Sequence, residues 1–526
     1  MAEGPRHPVF FSLPSLLLIA PLCVGGAIIG TELITTLGIT PNTALIGALA
    51  GMVLAQLPRA MFGAYRSPHM QNLAQTAVSA STFGAGNALL LPIGIPFVMG
   101  RPDLVGPMLL GVFLAMLVDG YLAYRVFDSA VFPAEGTWPP GVAAAEVIRA
   151  GDAGGDIEGH RGWALLLGLG VGLLGAFYRV PMSAFGVALI GNIWAISIFG
   201  AGLLLRGHSD SLFGWLTPGG DLMRHYIPHG VMVGAGIAAL IQVAMLIRKG
   251  GPVSGARLGR ALGLGTGGYL AIAVLLALLG GVYSAMPVGM LLVFVVFAAF
   301  SAFVHALIVG LAAMHAGWFP AFAVALITLV IGMLIGFPPA ALCLLVGFSA
   351  ATGPAFATMG YGLKAGYMLR GDGADPGFER DGRKQQLYAA MFAFAVAGAV
   401  VYLTHGSYFA ADRVAPVGRV YVATINAGAS WEVARQLALW AIPGAIIQFL
   451  GGPTRQLGVL LATGLLLLNP AAGWAVLTGV MLRIWFMKLT AGRKQRDMDV
   501  FAAGVIAGDA LYNFYDSASR AMAARR

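Results

Sequence analysis

The chain has 526 residues, of which 58% are hydrophobic and only 10% are charged, and its mean hydropathy is +0.83. Soluble domains carry about 25% charged residues, so this composition excludes an ordinary soluble protein. The net charge of +9 does not indicate nucleic-acid binding, because basic residues concentrate in short connections between apolar runs, as in the cytoplasmic loops of membrane proteins. Two cysteines, Cys23 and Cys343, exclude a disulfide framework and a cysteine-based zinc site.

Apolar segments long enough to cross a bilayer recur along the whole chain. In the stretch from 261 to 363, 103 consecutive residues include no Asp, Glu, Lys or Arg. About 20 apolar residues span the hydrocarbon core, and backbone groups in lipid must bond within helices. We therefore predict an all-α polytopic integral membrane protein with roughly 14–16 transmembrane helices, some of them interrupted. The candidate segments lie near 10–37, 43–58, 70–99, 104–128, 162–178, 183–205, 227–247, 263–282, 285–315, 317–336, 338–360, 387–404, 434–450, 456–469, 471–488 and 499–515.

Polar connections separate these segments near 149–161, 206–225, 248–260, 368–386 and 405–433. The last two are the longest and are rich in glycine and charge, so we expect them to fold only loosely. At the end of the fourth segment, Arg125 and Asp128 stand at i, i+3, and this spacing predicts that the two side chains pair.

Two pairs of stretches indicate an internal duplication. GVALIGNIWAISIFGAGLLLR (186–206) resembles GVLLATGLLLLNPAAGWAVLTGVMLR (458–483), and their leading glycines are 272 residues apart. In a second pair, Thr76 and Thr352 are 276 residues apart. We predict two related transmembrane halves, residues 1–250 and 251–526. Interrupted hydrophobic segments at matching places in such halves indicate the substrate site of a transporter.

The second pair is QNLAQTAVSASTFGAGN (71–87) and FSAATGPAFATMGYGLKAGY (348–367), which are rich in amide, hydroxyl and small side chains. Gly84 and Gly86 each weaken a helix by about 1 kcal/mol relative to alanine, so the first span is expected to break in mid-membrane. Broken spans line cavities, where their free ends bind charged groups. The alternative is that small and hydroxyl residues only allow close helix packing. The predicted substrate-binding residues are Asn72, Gln75, Thr76, Ser79, Ser81, Asn87, Ser349, Thr352, Thr358, Lys364 and Tyr367.

Four blocks resemble, in order, motifs of one transporter family. They are NLAQTAVSAS (72–81), FPAEGTWPPGVAAAEVI (132–148), GYGLKAGYMLRG (360–371) with RKQQ (383–386), and AAGVIAGDAL (502–511). The first resembles Asn-x-x-Gln-Thr-Ala-x-Ser-Ala and the last Ala-Gly-x-x-Ala-Gly-Glu-x-Leu of the oligopeptide transporter (OPT) superfamily, which includes the yellow stripe-like metal-chelate carriers. The resemblance favours the bacterial branch, because the Asn-Pro-Gly and Lys-Ile-Pro-Pro-Arg motifs of the eukaryotic peptide transporters are missing.

The resemblance implies a secondary transporter, usually proton-coupled, that moves small peptides or metal chelates inward. This chain departs from the family pattern at Gly362, where the family often has Asp, at Ala365, where it has Thr, and at Asp509, where it has Glu.

Ionisable groups inside membrane spans are costly and are therefore functional candidates. Four carboxylates are predicted to carry the coupled proton: Glu32 and Asp119 in apolar runs, Glu146 at the family's glutamate, and Asp509. Two have alternatives: Glu32 at the membrane interface, and Glu146 as a carboxylate stabilised by a helix start. Lys364 matches the family's lysine, where it would either receive a substrate carboxylate or anchor the chain at the cytoplasmic surface.

We predict an alternating-access symporter that imports small oligopeptides, peptide-like compounds or metal chelates with protons, in the bacterial inner (cytoplasmic) membrane. The alternative is a passive channel or facilitator for small polar solutes, lined by the same polar residues. The sequence has no GxSxG, HExxH or Walker A motif, which argues against an enzyme and against ATP-driven transport. We expect no cofactor and no bound metal; the partners are the substrate, protons and the bilayer, and a homo-oligomer is left open.

Overall fold

The structure, a computed structural model, describes residues 7–36, 66–151, 159–214, 221–249, 252–317, 321–428, 430–467, 469–490 and 493–523. Across these ranges the chain is helical, and its one β-type contact is an isolated bridge between Phe127 and Phe132. The helices up to residue 250 are α1 (Leu13–Thr36), α2 (Pro68–Phe83), α3 (Leu91–Val98), α4 (Val105–Val126), α5 (Pro139–Gly151), α6 (Gly159–Phe177), α7 (Met182–Ile190), α8 (Ile193–Gly207), α9 (Ser209–Phe213) and α10 (Ile227–Lys249).

The remaining helices are α11 (Pro252–Leu279), α12 (Val288–Ala316), α13 (Ala321–Ile335), α14 (Pro339–Ala351), α15 (Pro354–Leu369), α16 (Pro376–Ala410), α17 (Pro416–Ala427), α18 (Trp431–Arg455), α19 (Leu457–Leu466), α20 (Pro470–Leu489) and α21 (Gln495–Ala523).

The prediction of an all-α polytopic membrane protein is confirmed. Within the described ranges, nine helical segments are long and apolar enough to cross a bilayer, and five further apolar helices have 10–17 residues. Large apolar side chains such as Leu403 and Leu450 are 78% and 79% exposed, as expected of surfaces that contact lipid. The segment predicted near 43–58 lies outside the described residues.

The two polar spans are interrupted in different ways. Between α2 and α3 the predicted break is absent: Gly84–Leu90 continue the helix as a π-helical segment, whose wider turn displaces the residues that follow. Between α14 and α15 the chain does break, at Thr352 and Gly353, and Gly353 has a φ of +97°. Glycine adopts this left-handed backbone without the steric cost that a Cβ adds.

The prediction that 368–386 and 405–433 are loosely folded is wrong. α16 begins at Pro376, is capped by the Asp375 carboxylate, and runs for 35 residues, while α17 occupies Pro416–Ala427. Arg370 just before α16 forms a buried ion pair with Glu379 inside it, at 2.6 Å. The many charged residues in 368–386 indicated a loop exposed to water. Two of these charges are instead buried as an ion pair, and the sequence does not show which charges the fold brings together.

The predicted pairing of Arg125 with Asp128 is also wrong. α4 ends at Val126, so Asp128 lies beyond the helix, at a φ of +66°, and the i, i+3 geometry does not apply. Arg125 instead donates a hydrogen bond to the Tyr121 hydroxyl at 3.0 Å, and Asp128 lies 3.7 Å from Arg383 of α16.

Long helices from the two parts of the chain pack in pairs, α6 with α21 and α10 with α18. Glycines bring the backbones into contact: a Cβ on Gly168 would lie 2.1 Å from the carbonyl oxygen of Phe501, and one on Gly444 would lie 2.1 Å from that of Val231. Small residues at such crossings are the usual means by which membrane helices associate.

Two shorter helix pairs, α7–α8 and α19–α20, contact each other beside these long pairs. In each pair an asparagine caps the second helix: the Asn192 side chain accepts hydrogen bonds from the N–H groups of Trp194 and Ala195, and that of Asn469 from Ala472. The two pairs therefore have the same local construction.

Candidate functional site

A cavity of about 500 Å³ lies where the two interrupted spans meet α7 and α21. Drug-sized ligand sites in proteins typically have 300–1,000 Å³. Its lining combines apolar side chains with a few polar and charged ones. The polar and charged lining residues are Asn87, Arg179, Ser183, Tyr361, Tyr421, Asn469, Asp509, Tyr512, Asn513 and Asp516.

Both interrupted spans contribute to this cavity. The π-helical segment places Asn87 on the cavity wall, and the break between α14 and α15 places Ala350 and Pro354 there. The π-helical segment and the helix break therefore both lie at the cavity. Backbone irregularity at membrane depth is tolerated where it lines a cavity.

The Asp119 carboxylate, from α4, holds the α14–α15 break in place. It is fully buried and accepts hydrogen bonds from the N–H of Gly353 and from the hydroxyl of Tyr269 in α11. The N–H of Gly353 lies at the start of α15, where the helix dipole favours a negative charge. Asp119 thus lies behind the break rather than on the cavity wall.

The Asp509 carboxylate caps the start of α7 and also lines the cavity. One oxygen accepts a hydrogen bond from the N–H of Met182 at 3.2 Å, and the other from the Ser183 hydroxyl. Gly508 permits this approach, because a Cβ there would lie 2.2 Å from the Leu169 carbonyl oxygen of α6. Within the described part of the chain, no Lys or Arg forms an ion pair with Asp509.

Another short helix, α19, is capped by an amide. Gln448 of α18 accepts hydrogen bonds from the N–H groups of Gly458 and Val459, at 3.0 and 3.1 Å, and donates to Gln242 and Gln456. A neutral side chain is thus sufficient to cap a helix in this setting. The start of α7 is capped instead by the Asp509 carboxylate, which carries a charge that a cap does not need.

Three of the predicted substrate-binding residues instead form a buried polar cluster between α2, α15 and α16. The Asn72 amide donates to Gln75 at 3.1 Å, and the Thr76 hydroxyl accepts from Gln386 at 3.3 Å. Gln386 in turn accepts a hydrogen bond from Arg370 at 3.0 Å, which connects this cluster to the buried ion pair. None of the three lines the cavity.

Other predicted substrate-binding residues bond within or between helices. The hydroxyls of Ser81, Thr352 and Thr358 donate to carbonyl oxygens within one helical turn, at 2.8–2.9 Å. Ser349 contacts the buried His305 through its backbone carbonyl and its hydroxyl. Ser79 is fully buried, and its hydroxyl has no hydrogen-bond partner within the described part of the chain. These contacts are those of helix packing.

Lys364 is buried rather than exposed at a membrane surface. Its ammonium donates to the Ala134 carbonyl at 2.9 Å and lies 5.5 Å from the centre of the Tyr367 ring. The Tyr367 hydroxyl donates to Glu135 at 3.4 Å. Lys364 and Tyr367 thus bind α15 to the connection before α5 and do not line the cavity.

The remaining two predicted carboxylates are paired with arginine. Glu146 lies 2.8 Å from Arg149 in the later part of α5, so it is not at a helix start. Glu32, at the end of α1, bonds to Arg413 and accepts from the Tyr408 hydroxyl at 3.0 Å. Of the fifteen predicted site residues, Asn87 and Asp509 line the cavity.

Sequence reasoning missed Arg179, Ser183 and Asn469 on the cavity wall. Asn469 precedes a proline, a pattern typical of a helix start. Arg179 and Ser183 carry no such signal, because both lie at the junction of two helices whose positions depend on the whole fold. Among the described residues, no group of three or more His, Cys, Asp or Glu side chains is arranged to hold a metal ion.

The family model described as OPT oligopeptide transporter protein matches residues 15–250 and 264–518. The chain belongs to the OPT oligopeptide transporter family. No protein with a curated function matches it. As an OPT member the protein is an integral membrane transporter of a small-molecule substrate and not an enzyme, and the cavity between its interrupted spans is the candidate substrate site.

Proposed function

We propose that this OPT transporter imports small peptides together with protons, and that the 500 Å³ cavity is its substrate site. One observation carries the proposal: Asp509 lines a cavity formed at both interrupted spans and has no cationic partner among the described residues. A carboxylate at such a place is able to gain and lose a proton according to what occupies the cavity. We keep metal chelates as a second candidate substrate class. The proposed location is a bacterial inner membrane.

The four carboxylates differ in their partners, and this difference favours Asp509 as the coupling residue. Glu32 and Glu146 are each neutralised by an arginine. Asp119 is fully buried behind the helix break and is held by two donors. Asp509 alone of the four faces the cavity, and its donors are a backbone N–H and a hydroxyl rather than a cation.

We further propose that the halves 1–250 and 251–526 are structural repeats. The equivalent packing of α6 on α21 and of α10 on α18, and the matching asparagine caps at Asn192 and Asn469, support this assignment. Asp509 and Gln448 then cap related short helices, α7 and α19. Rocking of one repeat against the other would expose the cavity alternately to each side of the membrane.

The test is uptake of di- to hexapeptides and of iron, zinc and copper chelates into proteoliposomes, with and without an imposed inward proton gradient. Gradient-dependent accumulation of a peptide is expected. Accumulation of a chelate instead would assign the second substrate class, and equilibration without concentration would favour a channel or facilitator.

Substitution of Asp509 tests the coupling. Asp509→Asn keeps an acceptor for the N–H of Met182 and should fold, but it cannot release a proton. We expect it to lose accumulation against a gradient and to retain exchange of substrate across the membrane. Asp210→Asn, at an exposed aspartate outside the cavity, is the matched control and should behave as the wild type. Gradient-driven accumulation by Asp509→Asn would refute the assignment of the coupled proton.

A further inference from the structure

Arg179 follows α6 in a conformation that arginine rarely adopts. Its φ is +60°, and the N–H groups of Arg179 and Val180 bond to the carbonyls of Ala176 and Gly175, both at 2.9 Å. This is the hydrogen-bond pattern of a helix end at which glycine is usual. A side chain here is disfavoured by the contact of its Cβ with the following carbonyl. Residues that break a local rule of this kind concentrate at functional sites.

Arg179 lines the cavity and is exposed, and within the described ranges its side chain has neither an ion pair nor a hydrogen bond. Asp509 lines the same cavity and bonds to Met182 and Ser183, which follow Arg179 by three and four residues. The guanidinium and this carboxylate nevertheless lie more than 4.0 Å apart, since they form no ion pair. Arg179 and Asp509 therefore belong to the lining of one cavity without forming an ion pair with each other.

Among the described residues that line the cavity, Arg179 is the one cation. A guanidinium presents a planar fork of donors that fits both oxygens of a carboxylate. An ionised Asp509 would repel a carboxylate bound there. The other described titratable groups that line the cavity are Asp516, Tyr361, Tyr421 and Tyr512.

We propose that Arg179 binds the carboxylate of the transported molecule, so that the cavity selects small molecules with a free carboxylate, such as peptides with an unblocked C-terminus. This proposal rests on the proposed function and deepens it. A proton on Asp509 removes the negative charge that opposes the substrate carboxylate. Proton and substrate therefore each favour the binding of the other, without touching.

The experiment compares uptake of trialanine and of its C-terminal amide by proteoliposomes with the wild-type protein. A charge-assisted pair of hydrogen bonds predicts a KM about 10- to 100-fold lower for the free acid. Arg179→Gln should remove this preference by raising the KM of the free acid to that of the amide, while Arg179→Lys should retain part of the preference. In Asp509→Asn, the preference for the acid should no longer depend on pH.

Two variants separate recognition from folding. Arg179→Gly fits the positive φ, so it should keep or raise the melting temperature and still lose the preference for the free acid. Arg125→Gln changes an exposed arginine outside the cavity, hydrogen-bonded to Tyr121, and should retain the preference. Equal KM values for acid and amide in the wild type, or a preference that persists in Arg179→Gln, would overturn the role of Arg179 and leave the proposed peptide function standing. Failure of the wild type to carry either tripeptide would overturn the proposed peptide function, and this inference with it.

Discussion

Replacing Gly353 with alanine should destabilise the protein at the break between α14 and α15. The φ of Gly353 is +97°, a conformation in which a Cβ is strained, at a cost of about 1–2 kcal/mol. The added Cβ would also lie 2.7–2.9 Å from all three side-chain carbons of Val309 in α12. Valine in a helix has one strongly preferred rotamer, so it cannot turn aside. Overpacking of this kind adds about 1–3 kcal/mol.

The expected loss is therefore about 2–5 kcal/mol in the free energy of unfolding. Transport should fall as well, because Ala350 and Pro354 on either side of the break line the cavity. The assay is the melting temperature of purified protein in detergent, followed by tryptophan fluorescence, together with peptide uptake into proteoliposomes at matched protein content.

Gly289→Ala is the matched control, since this glycine lies in α12 and an added Cβ would meet no atom within 4 Å. Alanine should stabilise the helix there, by up to about 1 kcal/mol. Combining Gly353→Ala with Val309→Ala should recover the part of the unfolding free energy that is lost through the steric clash, but not the part that is lost through the positive φ. A melting temperature of Gly353→Ala equal to that of the wild type would refute the reasoning, as would a double variant with no coupling between the two sites.

Three further substitutions test individual polar side chains. Asp119→Asn should lower the free energy of unfolding by about 1–3 kcal/mol, because one of its two donors loses its acceptor; an unchanged melting temperature would contradict this. Gln448→Leu should cost about 1–2 kcal/mol through the lost cap of α19, measured in the same way. Burial raises the pKa of Asp128, despite Arg383 nearby, so the protein should lose stability as the pH rises from the ordinary aspartate value of 3.8 through this raised pKa. Asp128→Asn, which tolerates the φ of +66°, should therefore raise the melting temperature at pH 7 but not near pH 4, and an equal change at both would contradict it.

Much of the fold class follows from the sequence alone. The absence of charge over 103 residues requires helices that cross a bilayer, because a lipid environment leaves backbone groups no other partner. Glycine and polar residues correctly indicated an interruption at 349–353, although the same signal at 84–87 yields a π-helical segment instead. A helix with weak helix formers can form a wider π-helical turn instead of breaking when neighbouring helices pack against the segments on both sides. The sequence does not specify those neighbours.

The composition of the cavity wall could not be read from the sequence in the same way. Thr76 and Asn87 belong to one polar stretch, yet the first faces Gln386 in a helix interface and the second faces the cavity. Which of them reaches the cavity depends on how the span is rotated about its axis, and the neighbouring helices decide that rotation.

By itself, the sequence determined the class of the protein, its family and the helix break in the span 349–367, because composition, motif order and glycine content are properties of the chain. Only the tertiary structure brought Arg179 and Asp509 to one cavity, although 330 positions separate them in the chain. It also placed Glu32 and Glu146 beside arginines and buried Asp119 behind a helix break. The physical reason is that the role of a carboxylate in a membrane is set by the charges and donors around it, and these come from helices distant in the sequence.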